Sequence, residues 1–321
     1  MEAFRWAFIG TGTLARGVIR ELLPSGRHRI ASVYTRRWEK CQEFAEETGA
    51  FAARSAEEAI NRADVDGVYI VTPHNSHYEY AKLALSLGKP VLCEKPVTTD
   101  SRQAEELIAL SKEKGVYFAE GMWTWFSPIA NQVKAWLDAG EYGELEKVSV
   151  TYRVNVIHYA PRLADPQLAG GALLDSGIYP ITYLYRLFGK PVSVSCRGKL
   201  KDGIDLGERV TLGFADGRSI TADISMVDRR NWEWLRIIGS RARTDLRAFH
   251  YANEVTLRLK NGKAIHFSGD GSMLNEFDRV AEEIRAGRTD SLLVPQQCTL
   301  DVMRILDECR RQMGLIYPFE K

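Results

Sequence analysis

The sequence has few cysteines, no excess of charge of either sign and no long apolar run. Its five cysteines are scattered, odd in number and without a Cys-x-x-Cys pair, which argues against a disulfide framework or a structural zinc site. With 43 Lys and Arg against 42 Asp and Glu, the chain lacks the basic excess of a nucleic-acid-binding protein. No apolar run approaches the ~18 residues of a membrane span, and the first residues lack the pattern of a signal peptide. We therefore expect a cytoplasmic protein without nucleic-acid or membrane partners.

Residues 1–121 alternate short apolar runs with amphipathic segments. Short loops, several of them containing Gly or Pro, separate the two kinds of segment, which is typical of βαβ units on a parallel sheet. We expect an N-terminal doubly wound Rossmann domain over these residues. The predicted strands are 4–9, 29–34, 65–71, 90–93 and 116–120, and the predicted helices are 15–23, 38–48, 55–61, 76–87 and 101–114.

Residues 122–321 instead contain long alternating runs. Asp216-Gly217 and Asn261-Gly262 lie between pairs of such runs, and these dipeptides are strong hairpin signals. We expect a C-terminal α+β domain with a large, mainly antiparallel sheet, and an α/β class for the whole chain. Helices near 173–188 and 275–286 should cover one face of the sheet, and a helix near 299–313 should pack back on the first domain. The predicted strands are 147–155, 192–200, 210–214, 219–224, 234–238, 255–259 and 264–267.

A glycine-rich turn follows the first predicted strand. Its sequence is Gly10-Thr11-Gly12-Thr13-Leu14-Ala15, which fits the pattern G-x-G-x-x-A. The first glycine permits a tight turn, the second lets the backbone approach a pyrophosphate, and the helix N-terminus then faces the phosphates. This context predicts dinucleotide binding; the alternative is a tight turn without a ligand.

The end of the second predicted strand indicates which dinucleotide. An acidic residue there would bind the ribose hydroxyls of NAD, but the chain reads Tyr34-Thr35-Arg36-Arg37. Two guanidinium groups and a hydroxyl fit a 2′-phosphate, so we expect NADP, with NAD possible. The alternative is a pair of solvated arginines at a helix start, a place that favours acids instead.

Glu94-Lys95-Pro96 follows a buried strand at the carboxyl edge of the predicted sheet, where ligands of open α/β sheets bind. Pro96 biases Lys95 toward an extended conformation. A lysine there can polarise or protonate a substrate oxygen near the nicotinamide. Taken by itself, the tripeptide is more typical of a solvated loop.

Three segments together resemble a known family. GTGTLA, TPHNSHYEYAKLALSLGKPVLCEKP and GGALLDSGIY are similar to the glucose–fructose oxidoreductase / inositol dehydrogenase (Gfo/Idh/MocA) family over essentially the whole chain. EGMWTWFSP and GGALLDSGIYPI look closest to its branch of dimeric dihydrodiol dehydrogenases and NADP-dependent xylose dehydrogenases. The resemblance implies a catalytic role for Lys95, an acid/base role for Tyr179 and an accompanying role for Asp175. It also implies a cofactor surface that includes Thr72, Pro73, Asn75, His77 and Glu94, with Asn75 and His77 positioning rather than transferring protons.

The spacing of Asp175 and Tyr179 agrees with that chemistry. They are four residues apart and so lie on one face of a helix. The positive charge of Lys95 would favour tyrosinate and lower the pKa of Tyr179 from about 10, so that it could take an alcohol proton. The alternatives are a core aromatic for Tyr179, since Tyr183 and Leu187 continue its stripe, and a helix cap for Asp175.

Aromatic and polar residues of the second domain are the candidates for the substrate pocket. Trp123 and Trp125 could form a pocket wall or pack between the domains; relatives often carry arginine where Trp125 stands. Arg153, Asn155 and His158 could line a sugar pocket. His74 and His77 have no third ligand nearby, so we expect no metal site.

A free sheet face predicts a homodimer or higher homo-oligomer. Side chains on one side of two strands look too apolar to stay hydrated, and the resemblance also implies pairing through this sheet. They are Val148, Val150, Tyr152 and Val154 on one strand and Val192, Val194 and Cys196 on the other.

These features favour an NADP-dependent oxidoreductase acting on a small molecule. The expected substrate is the hydroxyl group of a sugar, cyclic polyol or dihydrodiol. One alternative is a glycosidase of the same fold that oxidises its substrate transiently, although the expected His-rich pocket loop is not evident. The other is a non-catalytic dinucleotide-binding sensor, which has no need of Glu94, Lys95 and Tyr179 together.

Overall fold

The chain divides into two compact units. A computed structural model describes residues 2–320. The first unit runs to Trp123 and includes Ser272–Leu300, and the second comprises Thr124–Gly271 together with the residues from Asp301 onward. The sequence boundary at 121/122 therefore lies close to the first division, but it did not anticipate that 272–300 belongs to the first unit.

The first unit is built on a six-stranded parallel sheet, in the order β3-β2-β1-β4-β5-β6. The order reverses between β1 and β4, which creates the switch point where open α/β sheets bind ligands. The predicted Rossmann fold is confirmed; only the two-residue β3 was not predicted. The strands are β1 (Phe4–Ile9), β2 (His28–Tyr34), β3 (Phe51–Ala52), β4 (Gly67–Ile70), β5 (Val91–Glu94) and β6 (Phe118–Gly121), and the helices are α1 (Thr13–Leu22), α2 (Trp38–Thr48), α3 (Ala56–Ile60), α4 (His77–Ser86) and α5 (Ser101–Lys114).

The second unit contains an eight-stranded sheet in the order β14-β13-β12-β11-β7-β10-β9-β8. Only β7 and β10 pair in parallel, so the predicted mainly antiparallel sheet is confirmed, as are both hairpins. The elements are α6 (Pro128–Asp138), β7 (Leu145–Arg153), α7 (Ile178–Phe188), β8 (Ser193–Lys201), β9 (Ile204–Gly213), β10 (Ser219–Ser225), β11 (Trp232–Gly239), β12 (Ala242–Arg247), β13 (Glu254–Leu259) and β14 (Ala264–Ser268). Of these, α6 and β12 were not predicted.

Two helix assignments differ from the expectation. Helix α8 (Leu274–Arg285) belongs to the first unit rather than covering the second sheet. Its buried Phe277 packs edge-on against Trp6 of β1 and Tyr69 of β4, with ring centroids 5.2 and 4.9 Å apart. Helix α9 (Gln296–Met313) enters the second unit from Asp301 onward. An amphipathic stripe shows that a helix buries one face, but it does not tell which core receives it.

The apolar face predicted to be free is covered only in part, since Val192 is 70% exposed and Val148, Val154 and Val194 are half-buried. Val150 and Tyr152 of β7 are only 1% and 7% exposed, and Tyr152 stacks on Tyr179 of α7. Cys196 of β8 is buried where Gln312 of α9 hydrogen-bonds its backbone. The other face of β7 carries polar side chains such as Ser149. The helices therefore cover the buried members of this face, and oligomerisation through the second sheet stays a prediction.

Candidate active site

The glycine-rich turn leaves β1 and enters α1 at the switch point. Gly10 has φ +115°, and a Cβ there would lie 2.5 Å from the carbonyl oxygen of Val71. At Gly12, the N-cap of α1, a Cβ would meet no atom within 4 Å. No side chain caps the helix and its first turn holds no acid. Free N–H groups facing open space fit a pyrophosphate, since such an anion supplies the missing acceptors.

The other residues of the turn divide by exposure. Thr11 is buried and Ala15 is fully buried against the sheet, as the motif requires. Thr13 and Leu14 are exposed. The turn thus presents its backbone, rather than charged side chains, to a ligand.

Two arginines follow β2 at the same edge of the sheet. Arg36 and Arg37 are exposed and Thr35 is half-buried. In residues 2–320 neither guanidinium forms an ion pair; Arg36 lies near Tyr80, whose pKa burial raises and Arg36 lowers. Unpaired guanidinium groups beside a hydroxyl fit a 2′-phosphate, which provides the charge they lack.

His77 connects the loops that follow β4 and β5. It is fully buried, and its Nδ1 and Nε2 lie 2.8 Å from the carbonyl oxygens of Pro96 and Thr72. Thr72 also accepts a hydrogen bond from Ser76 Oγ at 2.9 Å. Pro73 and Thr72 are half-buried in this loop, and Asn75 is exposed. His77 therefore holds two loops of the sheet edge together.

Lys95 directly follows β5 and lies near the buried acids Glu94 and Glu120. The lysine is only 8% exposed. Its backbone N–H donates to Glu94 Oε2 at 3.3 Å, while Tyr69 donates to Glu94 Oε1 at 2.6 Å. Glu94 is thus buried beneath the edge, on Tyr69. The Lys95–Pro96 peptide bond is cis.

Glu120, on the neighbouring strand β6, is the second acid near Lys95. It accepts hydrogen bonds from the Val97 backbone and from Thr299. Burial raises the pKa of Glu120 to about 7; Glu94 also raises it, whereas Lys95 and the two hydrogen bonds lower it.

Glu276 of α8 is the third acid of the group. It is fully buried, and neither carboxyl oxygen has a hydrogen-bond partner among residues 2–320. Burial, with Glu94 and Glu120, raises the pKa of Glu276 well above its usual range. A buried carboxyl without partners is most stable when protonated, so the group holds fewer negative charges than its three acids suggest.

Tyr179 and Asp175 lie in the second unit, at the start of α7. Residues Leu173–Gly177 form a π-helical turn, so the predicted α-helix begins only at Ile178. Asp175 is 9% exposed and lies 3.4 Å from the guanidinium of Arg162. Tyr179 is half-buried, its ring 5.8 Å from that of Tyr152 at 23°. Asp175 also raises the pKa of Tyr152, so both predicted residues lie near that ring.

The candidate substrate residues have different surroundings. Arg153 pairs with Asp223 and Asp228 at 2.7 Å each, on the sheet face opposite Tyr152. Because alternate residues face opposite sides, Arg153 is held away from Tyr179. Trp125 is 5% exposed and stacks on Tyr185 within the second unit. The ring is thus packed within its own unit, and its role in a substrate pocket stays a prediction.

The remaining three candidates are more accessible. Trp123 is half-buried in the first unit. Asn155 is half-buried and its backbone N–H donates to Asn231. His158 is exposed in a short 3-10 turn.

Comparison with known proteins now identifies the family. Residues 4–122 match the oxidoreductase family with an NAD-binding Rossmann fold, and residues 130–244 match the GFO/IDH/MocA C-terminal domain. The chain belongs to the Gfo/Idh/MocA family of oxidoreductases. It is 30% identical over 335 residues to a trans-1,2-dihydrobenzene-1,2-diol dehydrogenase of Mus musculus, covering 99% of each chain. It is 28% identical to a D-xylose 1-dehydrogenase (NADP(+)) of Hypocrea jecorina, covering 98% of this chain and 93% of that one.

Solved structures share the whole architecture of this Gfo/Idh/MocA chain. A 3-ketoreductase from Actinomadura kijaniata, crystallised with NADP and TDP-benzene, superposes with a TM-score of 0.88 at 23% identity, covering 97% and 98% of the two chains. An aldose-aldose oxidoreductase from Caulobacter crescentus gives 0.86 at 21%, with the same coverage. These likenesses show the fold, and the family and branch expected from the sequence are confirmed. The protein is an oxidoreductase.

The described residues were compared with the requirements of a membrane-spanning helix and of a metal site. Between residues 2 and 320, no helix is both long and apolar enough to cross a bilayer. The same residues bring together no group of three His, Cys, Asp or Glu side chains that could hold a metal ion.

Several residues of the candidate site were not predicted from the sequence. Glu120 and Glu276 reach Lys95 and Glu94 from β6 and α8. Tyr152, Glu233 and His250 lie around Tyr179 from β7, β11 and the turn after β12. An acid inside an apolar strand, as in Phe118-Ala119-Glu120, was a usable signal. His250 carried none, since only the fold brings it to Tyr179.

Proposed function

We propose that the protein is an NADP-dependent oxidoreductase that transfers hydride between nicotinamide and the hydroxyl-bearing carbon of a sugar, cyclic polyol or dihydrodiol. The observation that carries this proposal is the buried Lys95 at the carboxyl edge of the parallel sheet, two strands from the glycine-rich turn. Because desolvation of a cation is costly, a buried lysine at the edge where ligands bind supports a functional role. The named dehydrogenase relatives support the reaction class.

The residues divide the work as follows. Bound NADP supplies the hydride-accepting ring. Lys95 provides a positive charge that stabilises negative charge developing on the substrate oxygen. Tyr179 takes the proton that the hydroxyl releases when its carbon is oxidised, and returns it in the reverse direction. Asp175 and its partner Arg162 hold the start of α7.

Replacing Lys95 tests the catalytic assignment. Lys95→Met should reduce turnover by far more than tenfold, while dinucleotide binding persists. A tenfold loss corresponds to about 1.4 kcal/mol of activation free energy. Lys89→Met is the matched control, because Lys89 precedes the same strand but donates only to the carbonyls of Arg62 and Val65. Turnover is followed by the absorbance of reduced nicotinamide, with sugar release measured in parallel to detect a glycosidase. A loss below tenfold in Lys95→Met would contradict the role.

Replacing Tyr179 tests the proton step. Tyr179→Phe removes only a hydroxyl and should abolish the pH-dependent limb of the rate while the fold is retained. Tyr183→Phe is the control one turn later on α7, since its hydroxyl is buried without a hydrogen-bond partner. If the rate of Tyr179→Phe follows pH as in the unmodified protein, the proton goes elsewhere.

NADP should bind at least tenfold more tightly than NAD. The exposed, unpaired Arg36 and Arg37 support this preference, and higher salt should weaken it because exposed charges are screened. Arg36→Ala should lose NADP affinity and keep that for NAD, with Arg16→Ala as control because Arg16 is already paired with Glu47. Calorimetric titration of both dinucleotides decides the matter. Equal affinities in the unmodified protein would refute the assignment.

We also propose a cytoplasmic homo-oligomer that pairs through the second sheet. The face opposite α7 supports this, because it carries the exposed Trp232 and the half-buried Trp234 and Ile238 among charged side chains. None of the five cysteines forms a disulfide bond within residues 2–320, in keeping with a reducing compartment. Light scattering at micromolar concentration should give at least a dimer, and Trp234→Glu should give monomers. A monomeric unmodified protein would contradict the proposal.

A further inference from the structure

Tyr179 lies against two rings that come from outside its own helix. Tyr152 of β7 stacks on it with centroids 5.8 Å apart. The imidazole of His250 lies 5.0 Å from it, at 38°, and 5.2 Å from Tyr152. Tyr152 is buried, and the His250 side chain is 15% exposed. The orientation of the Tyr179 ring is thus set by a strand and by the turn after β12.

Glu233 of β11 holds His250. Glu233 is the cross-strand neighbour of Tyr152, and its carbonyl accepts a hydrogen bond from Ala248 at 2.9 Å. Its carboxylate Oε1 accepts from the His250 backbone N–H at 3.0 Å and also contacts His250 Nδ1. The Glu233 side chain is only 7% exposed. Because a carboxylate can only accept, Nδ1 carries a proton in this contact.

The second nitrogen of His250 also has an oxygen partner. Nε2 lies 3.5 Å from the hydroxyl of Tyr152. Burial, followed by Tyr179, Glu233 and Asp175, raises the pKa of Tyr152 well above its usual value, so this hydroxyl keeps its proton. A hydroxyl both donates and accepts. The surroundings therefore accommodate either a neutral imidazole or an imidazolium.

We propose that Glu233 and His250 are a positioning pair for Tyr179: Glu233 orients the imidazole, and the imidazole holds the Tyr179 ring and sets the proton affinity of its hydroxyl through its own charge. This inference rests on the proposed acid/base role of Tyr179. A positive charge on the imidazole would favour tyrosinate beside it.

The other charged groups near Tyr179 include one that opposes its ionisation and one that offsets this effect. Asp175, in the π-helical turn, opposes tyrosinate, and Arg162 at 3.4 Å from Asp175 offsets that effect. Tyr152 on β7 and Tyr251, whose ring lies 4.5 Å from His250, are further titratable neighbours. His250 is thus the candidate cation in ring contact with Tyr179.

The test measures the ionisation of Tyr179 directly and then its effect on the rate. NMR of the full chain with ring-labelled tyrosine gives the midpoint of Tyr179, assigned by the signal lost in Tyr179→Phe. His250→Gln should raise that midpoint by about one pH unit, as expected for a positive charge lost at ring-contact distance near a surface. Glu233→Gln should raise it by less, because it removes a nearby anion together with the support of the imidazole. The double variant should not raise the midpoint of Tyr179 beyond that of His250→Gln, because both substitutions remove the same positioning pair.

Kinetics should show the same coupling. In His250→Gln kcat near neutral pH should fall about tenfold, the equivalent of one pH unit, and in Glu233→Gln it should fall by less, with KM within about twofold in both. Tyr251→Phe is the control, since it keeps the ring against His250 and removes only a hydroxyl. His250→Asn is a second variant should His250→Gln fold poorly, with folding checked by circular dichroism.

The outcomes separate the two proposals. An unchanged Tyr179 midpoint in both variants, or a rise in KM alone, would overturn the positioning pair even if Tyr179→Phe is inactive. A rate–pH profile unaffected by Tyr179→Phe would overturn the acid/base role instead, while the NMR midpoint would still report whether His250 and Glu233 act on Tyr179.

Discussion

Glu120 is the buried acid whose ionisation should limit the stability of the first unit above neutral pH. Its carboxyl is 3% exposed, and burial is the main cause that raises its pKa from 4.5 to about 7. At about 1.4 kcal/mol per pH unit, this difference corresponds to about 3 kcal/mol between the two protonation states. Folding thus favours the protonated acid.

The sign of the effect follows from the raised pKa. The stabilising contribution of protonated Glu120 is fully present below pH 4.5 and is lost as the pH rises towards about 7. Glu120→Gln keeps an acceptor for Val97 or Thr299 and cannot ionise. The free energy of unfolding of Glu120→Gln minus that of the unmodified protein should therefore increase by up to about 3 kcal/mol between pH 4.5 and 7. Above pH 7 this difference should stay constant.

The assay is urea unfolding followed by tryptophan fluorescence at a series of pH values. Glu46→Gln, at an exposed position of α2, is the matched control and should give a difference that does not vary with pH. A constant difference for Glu120→Gln, or one that falls as pH rises, would refute the reasoning that burial near Glu94 and Glu276 controls this carboxyl.

Two further predictions concern the glycine-rich turn and Arg153. Gly10→Ala should lower the free energy of unfolding by at least about 2 kcal/mol, because Gly10 has a positive φ and a Cβ there would approach the carbonyl of Val71. Gly12→Ala should change the free energy of unfolding by less than about 1 kcal/mol and should instead weaken dinucleotide binding. Thermal unfolding and calorimetry separate the two effects, and equal destabilisation would contradict them. Arg153→Met should cost about 1 kcal/mol of stability through its lost ion pairs and leave KM within about twofold; a tenfold rise in KM would instead place Arg153 at the substrate.

Local sequence patterns were sufficient for most of the fold. The strand and helix alternation before residue 121, the glycine-rich turn at Gly10 and the Asp-Gly and Asn-Gly hairpins are short-range signals, and each is present in the structure. Lys95 could be proposed as a site residue because it follows a recognisable strand at the edge where ligands bind. Helix α6 was missed although Ser127 and Pro128 form a regular helix start, with Ser127 capping Ile129.

Tertiary structure decided which surfaces meet. The apolar stripe around Phe277 predicts a helix, yet only packing against Trp6 and Tyr69 assigns α8 to the first unit. The alternation of β7 separates two faces without telling which one the helices cover, so Tyr152 was taken as exposed and Arg153 as pocket-facing. In the structure Tyr152 is buried against Tyr179 and Arg153 is paired with acids on the opposite face, because burial of a face depends on contacts made by residues far away in the chain.

The surroundings of the two candidate catalytic residues show the same division. Sequence and family resemblance point to Lys95 and Tyr179 themselves. The acids Glu94, Glu120 and Glu276 come together from β5, β6 and α8, and Glu233 and His250 reach Tyr179 from other strands and turns. Proton affinities depend on burial and on neighbouring charges, and both are properties of the folded chain rather than of any local segment.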